Sequence, residues 1–356
     1  MQRRQFIRLS CIGASAPLLP GCAAIANLGT GPLIERHLPA GYSGVAAVRR
    51  DARSPLVVHA AGLALREEKQ PMTKDTRFLV GSITKWITAV TVLRLADMGT
   101  LDLDAPIARH LPELPSASGA VTLRQLLSNR SGIPNGLAEA LKKDRAAVEK
   151  LEIGPVEAAL RFGTGAPTAK PGEQWDYSFT NWILVAAVVE RARKEPFTET
   201  VEELVLAPAG VRDTSFAGTG YEDEVGMAVA YNAQGQRKTS AVPPMIAASG
   251  TLYSTASDLV KIADAVYATG LLSDKARREL STVVVASEDY ALGGRVKTLA
   301  TKKGARSLAW ETGAIGAYKT LLAYDPADGR AVVLLNNTDM LQSEQAKIAA
   351  ALFQEL

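Results

Sequence analysis

Segments that predict β-strands lie near both ends of the chain, and the segments between them predict helices. Apolar runs of strand length occur at residues 44–48 and 56–61, joined by a polar turn, and again at 307–311, 318–324 and 331–336. Strands at both ends with helices between them indicate one α/β (α+β) unit assembled from both termini. The predicted fold is therefore a sheet flanked by helices, with an inserted all-helical subdomain.

The predicted helices divide the chain into two subdomains. Apolar residues recur from Ile83 at the i, i+3, i+4, i+7 spacing of a helix that packs by one face, and this helix ends at Gly99. Residues 28–99 and 246–356 are assigned to the α/β subdomain, and residues 100–245, rich in proline and glycine, to the helical subdomain. Further helices are predicted at 121–127, 144–151, 155–162, 181–193, 256–267 and 343–353. With 47% hydrophobic residues among 356, the chain can bury a large core.

Residues 1–27 predict an export signal. Arg3-Arg4-Gln5-Phe6-Ile7-Arg8 is a twin-arginine start, and a short apolar stretch leads to Leu19-Pro20-Gly21-Cys22. The stretch is about half the ~20 residues that a membrane-spanning helix needs. Residues 19–22 resemble a lipobox, in which the cysteine becomes the lipidated first residue of the mature protein. Cleavage nearby without lipid, after Ala24, is the alternative. The predicted location is the periplasm, with Cys22 as the candidate lipid anchor to the membrane.

Charge and cysteine content exclude several classes of function. Removing the signal takes three arginines and no acids from 40 basic and 37 acidic residues, which leaves a neutral mature chain. A neutral surface does not attract phosphate backbones, so nucleic acid is not an expected partner. Cys11 and Cys22 are the only cysteines, and both lie in the signal, which excludes cysteine catalysis. The three histidines are scattered and no zinc-binding spacing occurs, so no metal site is expected.

The segment Gly81-Ser82-Ile83-Thr84-Lys85 places a serine and a lysine at the start of the first apolar helix. Residues three apart share a helix face, so the ammonium of Lys85 can reach the hydroxyl of Ser82. A serine hydroxyl is a weak nucleophile unless a neighbouring base takes its proton, and the free N–H groups of a first helical turn favour negative charge on its oxygen. Taken alone, the four-residue pattern recurs by chance. The alternative is a serine that caps the helix beside a solvent-facing lysine.

Further segments extend this pattern into a resemblance to a known family. From about residue 30 to 340 the chain resembles the serine β-lactamase and D,D-peptidase superfamily, in particular its class C β-lactamase-like branch, which includes esterases, amidases and D-aminopeptidases. The ordered matches beyond residues 81–85 lie at 99–106, 111–114, 122–134, 171–178, 207–216, 252–259 and 312–326. The resemblance implies a β-lactamase/transpeptidase-like fold with an antiparallel sheet.

The resemblance also implies roles for individual residues. Ser82 is the expected acylated nucleophile, Lys85 holds and polarises its proton, and Tyr177 is the expected general base. The backbone N–H groups of Ser82 and Ala314 are the expected oxyanion hole. No cofactor is expected, because side chains and backbone supply the proton transfer and charge stabilisation.

The chain departs from the family pattern at two positions expected to contact substrate. Phe179 stands where the family's Tyr-x-Asn motif has an asparagine, so a polar clamp is replaced by an apolar wall. Glu311 precedes Thr312 and Gly313, at a position where a lysine or histidine normally helps to bind a substrate carboxylate, and the resemblance implies that Glu311, Thr312 and Gly313 all contact the substrate. Charge reversal at ~4 Å changes an attraction into a repulsion of about 4 kcal/mol at an effective dielectric of 20. Pairing of Glu311 with Lys85, contact with a cationic substrate group, and a shifted register that leaves it facing solvent remain open.

These features favour an exported serine hydrolase that acts through an acyl-enzyme on a small ester or amide without the usual carboxylate. An esterase is the simplest version, because esters have good leaving groups. A D-amino-acid amidase or aminopeptidase, with Glu311 meeting the substrate amine, is another version. The alternatives are a β-lactamase or D,D-peptidase acting on β-lactams or peptidoglycan, and a non-catalytic binding protein on the same fold.

Overall fold

A computed structural model describes residues 29–301 and 304–356. The predicted twin-arginine signal and the candidate lipidation residue Cys22 lie outside the described residues. Within the described ranges, no helix has both the length and the apolar character needed to cross a membrane.

The described residues form strands and helices in mixed order. The strands are β1 (Gly44–Arg49), β2 (Val57–Ala61), β3 (Leu63–Leu65), β4 (Gln70–Pro71), β5 (Phe78–Leu79), β6 (Ser215–Phe216), β7 (Leu252–Ser254), β8 (Val296–Thr301), β9 (Gly304–Ile315), β10 (Tyr318–Tyr324) and β11 (Ala331–Asn336). The α-helices are α1 (Thr30–His37), α2 (Ile83–Asp97), α3 (Ser116–Gly119), α4 (Leu123–Leu127), α5 (Gly136–Lys143), α6 (Arg145–Glu149), α7 (Pro155–Phe162), α8 (Phe179–Arg193), α9 (Phe197–Val201), α10 (Ala247–Gly250), α11 (Ala256–Tyr267), α12 (Asp274–Ser281) and α13 (Gln342–Glu355). Short 3₁₀ or π turns cover Ile107–Arg109, Glu202–Leu206, Tyr221–Asp223, Pro244–Ile246 and Ala286–Glu288.

The central sheet is built from both ends of the chain, as predicted. Its six strands run in the order β2-β1-β11-β10-β9-β8, and every neighbouring pair is antiparallel. The N-terminal hairpin β1–β2 therefore pairs with the last strand of the chain, β11. This arrangement confirms the α/β fold class and the antiparallel sheet.

Helices cover both faces of the sheet. Alternate residues of β1 point to opposite faces, so Ala46 and Val48 join the core beneath α1 and α13, whereas Val45 and Ala47 join the larger core that contains α2. The sheet is thus a buried layer that fixes the position of α2.

Helix α2 is buried on nearly all sides, which corrects the prediction that it packs by one face. Every residue from Ile83 to Leu93 is buried, because the sheet lies on one side of the helix and α9, α10 and α12 lie on others. Its polar positions are tolerated since threonine hydroxyls bond to carbonyls of the preceding turn: Thr88 Oγ1 donates to Thr84 O (3.0 Å) and Thr91 Oγ1 to Ile87 O (3.0 Å). The spacing rule missed this because it counted threonine as solvent-facing.

The segment 100–245, predicted as an all-helical subdomain, contains helices α3 to α9 and one short exception. Strand β6 lies in this segment and pairs with β7, which also pairs with β5. The resulting three-stranded sheet has the order β5-β7-β6, and its strand β5 lies directly before α2 in the chain. It therefore ties the helical segment to the start of the helix that carries Ser82.

Candidate active site

Ser82 lies at the N-terminal end of α2, on a tight backbone turn. Val80 N donates to Leu252 O (2.9 Å), which holds the segment after β5 against β7. Gly81 then adopts a left-handed φ of +54°, a conformation that glycine reaches without a steric penalty. Ser82 occupies the N-cap position, but its side chain makes no capping hydrogen bond. Its hydroxyl is therefore available for chemistry, and the predicted alternative of a capping serine is not observed.

Lys85 is buried directly beneath this hydroxyl. Its side chain is 1% exposed, and Nζ donates to Ser82 Oγ (3.1 Å) and to the backbone carbonyl of Ser249 (2.6 Å). Burial lowers the pKa of Lys85, because desolvation disfavours the ammonium, while the phenol of Tyr177 acts in the opposite direction. An amine with a lowered pKa can accept a proton near neutral pH. Lys85 does not face solvent, contrary to the alternative reading of the motif.

Helix α10 supplies the second partner of Lys85. Thr88 Oγ1 lies 2.8 Å from Ala248 O, which fixes α10 against α2, and the next carbonyl, that of Ser249, receives the Lys85 ammonium. The sequence offered no signal for Ser249, because a backbone acceptor depends on tertiary packing and not on residue type.

Three aromatic rings surround the ammonium of Lys85. Nζ lies 5.0 Å from the ring centroid of Tyr177, 5.3 Å from that of Phe179 and 5.8 Å from that of Trp182. The structure thus brings Tyr177 to the Ser82–Lys85 pair, although Tyr177 lies 92 positions after Lys85 in the sequence.

The segment that carries Tyr177 is held by a buried asparagine. Asn129 adopts a φ of +55° and is fully buried; its backbone carbonyl accepts Asp176 N (2.8 Å), and its side-chain oxygen accepts Asn181 Nδ2 (3.2 Å). Its amide nitrogen donates to Tyr290 Oη (3.0 Å). Asn181 is thereby committed to this network and does not replace the missing motif asparagine. The sequence analysis missed Asn129, whose only signal is its place in the polar turn after α4.

The edge of β9 passes close to the start of α2. Strand β8 pairs with β9 only as far as Ala309, so the later part of β9 has no strand partner on the side that faces α2. A Cβ atom added to Gly81 would lie 2.8 Å from Ala314 N, which shows how closely the two segments approach. The backbone nitrogen of Ala314 therefore lies beside the turn that carries Ser82. This arrangement can present two backbone donors to one oxygen.

Gly313 makes a second close approach on the same strand. A Cβ atom there would lie 1.9 Å from Val80 O and 2.4 Å from Thr320 Oγ1, and that hydroxyl donates to Val80 O at 2.8 Å. Only glycine fits this position. Gly313 therefore lets β9 reach the turn and does not itself face the cleft.

A cleft of about 240 Å³ opens above Ser82. Of the predicted site residues, Ser82, Phe179 and Ala314 line it, whereas Lys85, Tyr177, Glu311, Thr312 and Gly313 do not. Its walls come from the helical hairpin α5–α6, from residues 240–250 and from the end of β9. The remaining lining residues are Leu137, Leu141, Arg145, Val148, Glu149, Ser240, Ala241, Pro243, Met245, Ile246, Ser249, Gly250, Ile315 and Gly316.

The cleft is mostly apolar, and its charged side chains neutralise each other. Arg145 and Glu149 form an ion pair of 2.8 Å on the outer, partly exposed end of the wall. The cleft volume lies below the ~300 Å³ at which pockets for drug-sized ligands begin, so a small substrate fits it best. Among the described residues, no group of three or more His, Cys, Asp or Glu side chains is arranged to hold a metal ion.

Glu311 is buried away from the cleft. It is 4% exposed, and its carboxylate lies against Gly294, where a Cβ atom would come within 2.2 Å of Oε1. Burial raises the pKa of Glu311 well above its usual value, although the charge and backbone N–H of Arg295 oppose this. In the described part of the chain no ion pair joins it to Lys85. The pairing with Lys85 and the solvent-facing position considered from the sequence are therefore not observed.

Comparisons with known proteins agree with this geometry. A family model described as "Beta-lactamase" matches residues 33–355. Esterase EstB of Burkholderia gladioli is 40% identical over 195 residues, which cover 52% of this chain and 48% of that protein. The putative penicillin-binding protein PbpX of Bacillus subtilis (strain 168) is 27% identical over 261 residues, 71% of this chain and 62% of that protein. The chain thus spans about half the length of the first relative and under two thirds of the second.

Solved structures show the same fold. A D-stereospecific amidohydrolase from Streptomyces sp. superposes with a TM-score of 0.75 at 23% identity, covering 91% of this chain and 99% of that one. An identity this low supports the fold alone. Because the family model covers nearly the whole described chain, the protein belongs to the beta-lactamase family of serine hydrolases.

Proposed function

We propose that this protein hydrolyses small uncharged esters through an acyl-enzyme on Ser82. The observation that carries the proposal is a buried lysine amine 3.1 Å from the hydroxyl of Ser82, at the floor of a small apolar cleft. The 40% identity to a protein named as an esterase supports the choice of ester over amide.

The proposed reaction uses the groups around Ser82 in two half-reactions. Ser82 Oγ attacks the ester carbonyl, and its proton passes to Lys85, whose amine also contacts the phenol of Tyr177. The backbone N–H groups of Ser82 and Ala314 stabilise the oxyanion, and the C–O bond to the alcohol breaks as the alcohol takes up the proton. A water molecule then attacks the acyl carbonyl and gives its proton to the same base, which passes that proton to Ser82 Oγ as the acyl C–O bond breaks and the acid is released.

The charge distribution of the cleft favours uncharged substrates. Among the residues that the structure describes, Arg145 is the one cation that lines it, and its pairing with Glu149 leaves none of these residues as a free positive charge for a substrate carboxylate. Glu311, which occupies the position of the family's carboxylate-binding residue, is buried outside the cleft. Neither β-lactams nor peptidoglycan stems, which are carboxylates, gain an attraction here. The burial of Glu311 also weighs against contact with a substrate amine.

A substrate panel tests the proposal. We expect kcat/KM for p-nitrophenyl acetate and butyrate to exceed that for nitrocefin and for D-alanine p-nitroanilide by at least ~100-fold, since a few unfavourable kcal/mol correspond to this ratio. Ser82→Ala should abolish ester hydrolysis, whereas the same change at the exposed Ser287, outside the cleft, should not. Faster turnover of nitrocefin would establish a β-lactamase instead. Absence of any Ser82-dependent turnover, and of labelling by a fluorophosphonate, would favour a non-catalytic binding protein.

We further propose that the protein acts in the periplasm after twin-arginine export, tethered by lipid on Cys22. The motifs within residues 1–27 support this. Expression of the full chain in a Gram-negative host should place it in the membrane fraction, and Cys22→Ala should release it to the soluble periplasmic fraction. Identical fractionation of both chains would exclude the lipid anchor.

A further inference from the structure

The ammonium of Lys85 is enclosed by aromatic rings as well as by polar partners. Its hydrogen-bond partners are Ser82 Oγ, Ser249 O and the phenol of Tyr177, and the ring centroids of Tyr177, Phe179 and Trp182 all lie within 6 Å of it. The family's motif asparagine, which would offer an amide to this lysine, is absent. Phe179 occupies its position and directs a ring at the ammonium instead.

We infer that these three rings form an aromatic cage that stabilises the ammonium of Lys85 after it takes the proton of Ser82, and that Phe179 is the positioning residue of this cage. The inference rests on the proposed acyl-enzyme mechanism. A cation within about 6 Å of a ring centroid is attracted by the electron-rich face, and the attraction is strongest where water is excluded. All three centroids meet this distance, and Lys85 and Trp182 are both fully buried.

The cage lowers the energetic cost of a charge on the buried Lys85. A buried amine loses its hydration when it becomes charged, so proton transfer from Ser82 would be costly in an apolar site. Ring faces offset part of this cost without bringing a further polar group that itself needs a partner. Two side chains of the same region show how few polar partners are available, since Ser178 Oγ and Trp182 Nε1 are buried without a hydrogen bond in the described structure.

Phe179 has a second surface that connects the cage to substrate choice. One side of the ring faces Lys85, and the residue, 36% exposed, also lines the cleft. An asparagine here would offer the substrate an amide; phenylalanine offers only carbon and hydrogen. The same substitution therefore keeps the lysine stabilised and removes a polar contact for substrates that carry an amide beside the scissile bond.

Stepwise fluorination of the ring tests the inference, because fluorine weakens the ring's attraction for a cation with little change in shape. We expect kcat/KM for p-nitrophenyl butyrate to fall progressively from phenylalanine to mono-, di- and trifluorophenylalanine at position 179. In Phe179→Leu, which removes the ring altogether, the decrease in kcat/KM should be roughly 2- to 30-fold. Phe179→Tyr, which keeps the ring face, should retain most activity. Fluorination of Phe197, a buried phenylalanine outside the cleft, serves as the control and should have no effect.

The pH profile separates this role from simple substrate contact. Loss of the ring should make Lys85 easier to deprotonate, so the acid limb of the kcat/KM profile should move to lower pH in Phe179→Leu while the plateau falls. A lower plateau with an unmoved acid limb, or a flat fluorination series, would overturn the inference.

A readout that needs no turnover distinguishes failure of the inference from failure of the proposed function. NMR titration of ¹³Cε-labelled lysine in the full protein should show a lower pKa for Lys85 in Phe179→Leu than in the unmodified chain, with Lys85→Met identifying the resonance. An unchanged Lys85 titration would overturn the cage even if esters are hydrolysed. A shifted titration in a protein that hydrolyses no ester would leave the cage standing and refute the proposed function.

Discussion

Replacement of Gly81 by alanine tests whether the close contact between the Ser82 turn and the edge of β9 builds the catalytic site. The new methyl group would lie 2.8 Å from Ala314 N and 3.1 Å from Ala314 C. Both are backbone atoms, which cannot rotate away as the end of a side chain can. The strand must therefore move until the distance approaches the 3.4 Å of an ordinary contact.

The magnitude follows from two separate costs. Alanine in a left-handed conformation costs about 1–2 kcal/mol, and an added methyl in a packed site costs about 1–3 kcal/mol more. Gly81→Ala should therefore lower the free energy of unfolding by about 2–5 kcal/mol. Displacement of Ala314 N would remove one of the two proposed oxyanion donors, and loss of one such donor lowers kcat by ~10²- to 10³-fold.

Gly99 supplies the matched control. Its φ is +72°, close to that of Gly81, but a Cβ atom there would meet nothing within 4 Å. Gly99→Ala should thus cost only the backbone strain, about 1–2 kcal/mol, and leave kcat unchanged. Urea unfolding gives the stability of both variants, and kcat for p-nitrophenyl acetate gives their activity. A folded Gly81→Ala protein with wild-type kcat would refute the idea that the backbone of Ala314 takes part in catalysis.

Three further predictions concern ionisable groups. Tyr177→Phe should lower kcat for p-nitrophenyl acetate by ~10²- to 10⁴-fold, as expected for loss of a group that moves a proton, with little change in urea midpoint. Lys85→Met should abolish turnover and raise the urea midpoint of unfolding. Because burial lowers the pKa of Lys85, this lysine costs most stability at low pH, so the gain in stability from Lys85→Met should be greater at pH 6 than at pH 9. Glu311→Gln should also stabilise the protein, but with the opposite pH dependence. Because the pKa of Glu311 is raised, this carboxyl costs stability once the pH rises above the pKa of the unfolded carboxyl, so the gain should be greater at pH 8 than at pH 5. An equal gain at both pH values would contradict a buried carboxyl.

The parts of the fold with strong local patterns were predictable from the sequence. Strands β10 and β11 and helices α7 and α11 begin and end at the residues predicted from the sequence. The two strands are continuous apolar runs that are buried almost throughout, so the residues of each segment alone were enough to predict it.

Elements whose pattern is set by distant partners were missed. Strand β8 alternates weakly because it is an edge strand, and it is held by pairing with β9. Helix α12 is mostly polar and buries only Ala276 and Leu280, although Ser273 gives it a capping signal. Strand β9 extends beyond its predicted end because β10 pairs along its glycine-containing part.

The residues of the candidate site likewise differ in whether the sequence could predict their positions. Ser82 and Lys85 lie three residues apart on one helix, so their contact followed from helical geometry. The places of Tyr177 and Ala314 followed only from the family resemblance. Asn129 and Ser249 escaped prediction, because the first acts through long-range hydrogen bonds and the second through a backbone carbonyl. Similarly, the burial of Glu311 depends on Gly294 lying against its carboxylate, a contact that spacing cannot reveal.

The covalent intermediate is the most direct test of the central claim that Ser82 is acylated with help from Lys85. Rapid-quench intact mass spectrometry during turnover of p-nitrophenyl butyrate should show one butyryl group per chain, mapped by peptide digestion to Ser82, and none in Lys85→Met. Butyrylation at another residue, or ester turnover that persists in Ser82→Ala with no covalent adduct, would contradict the account.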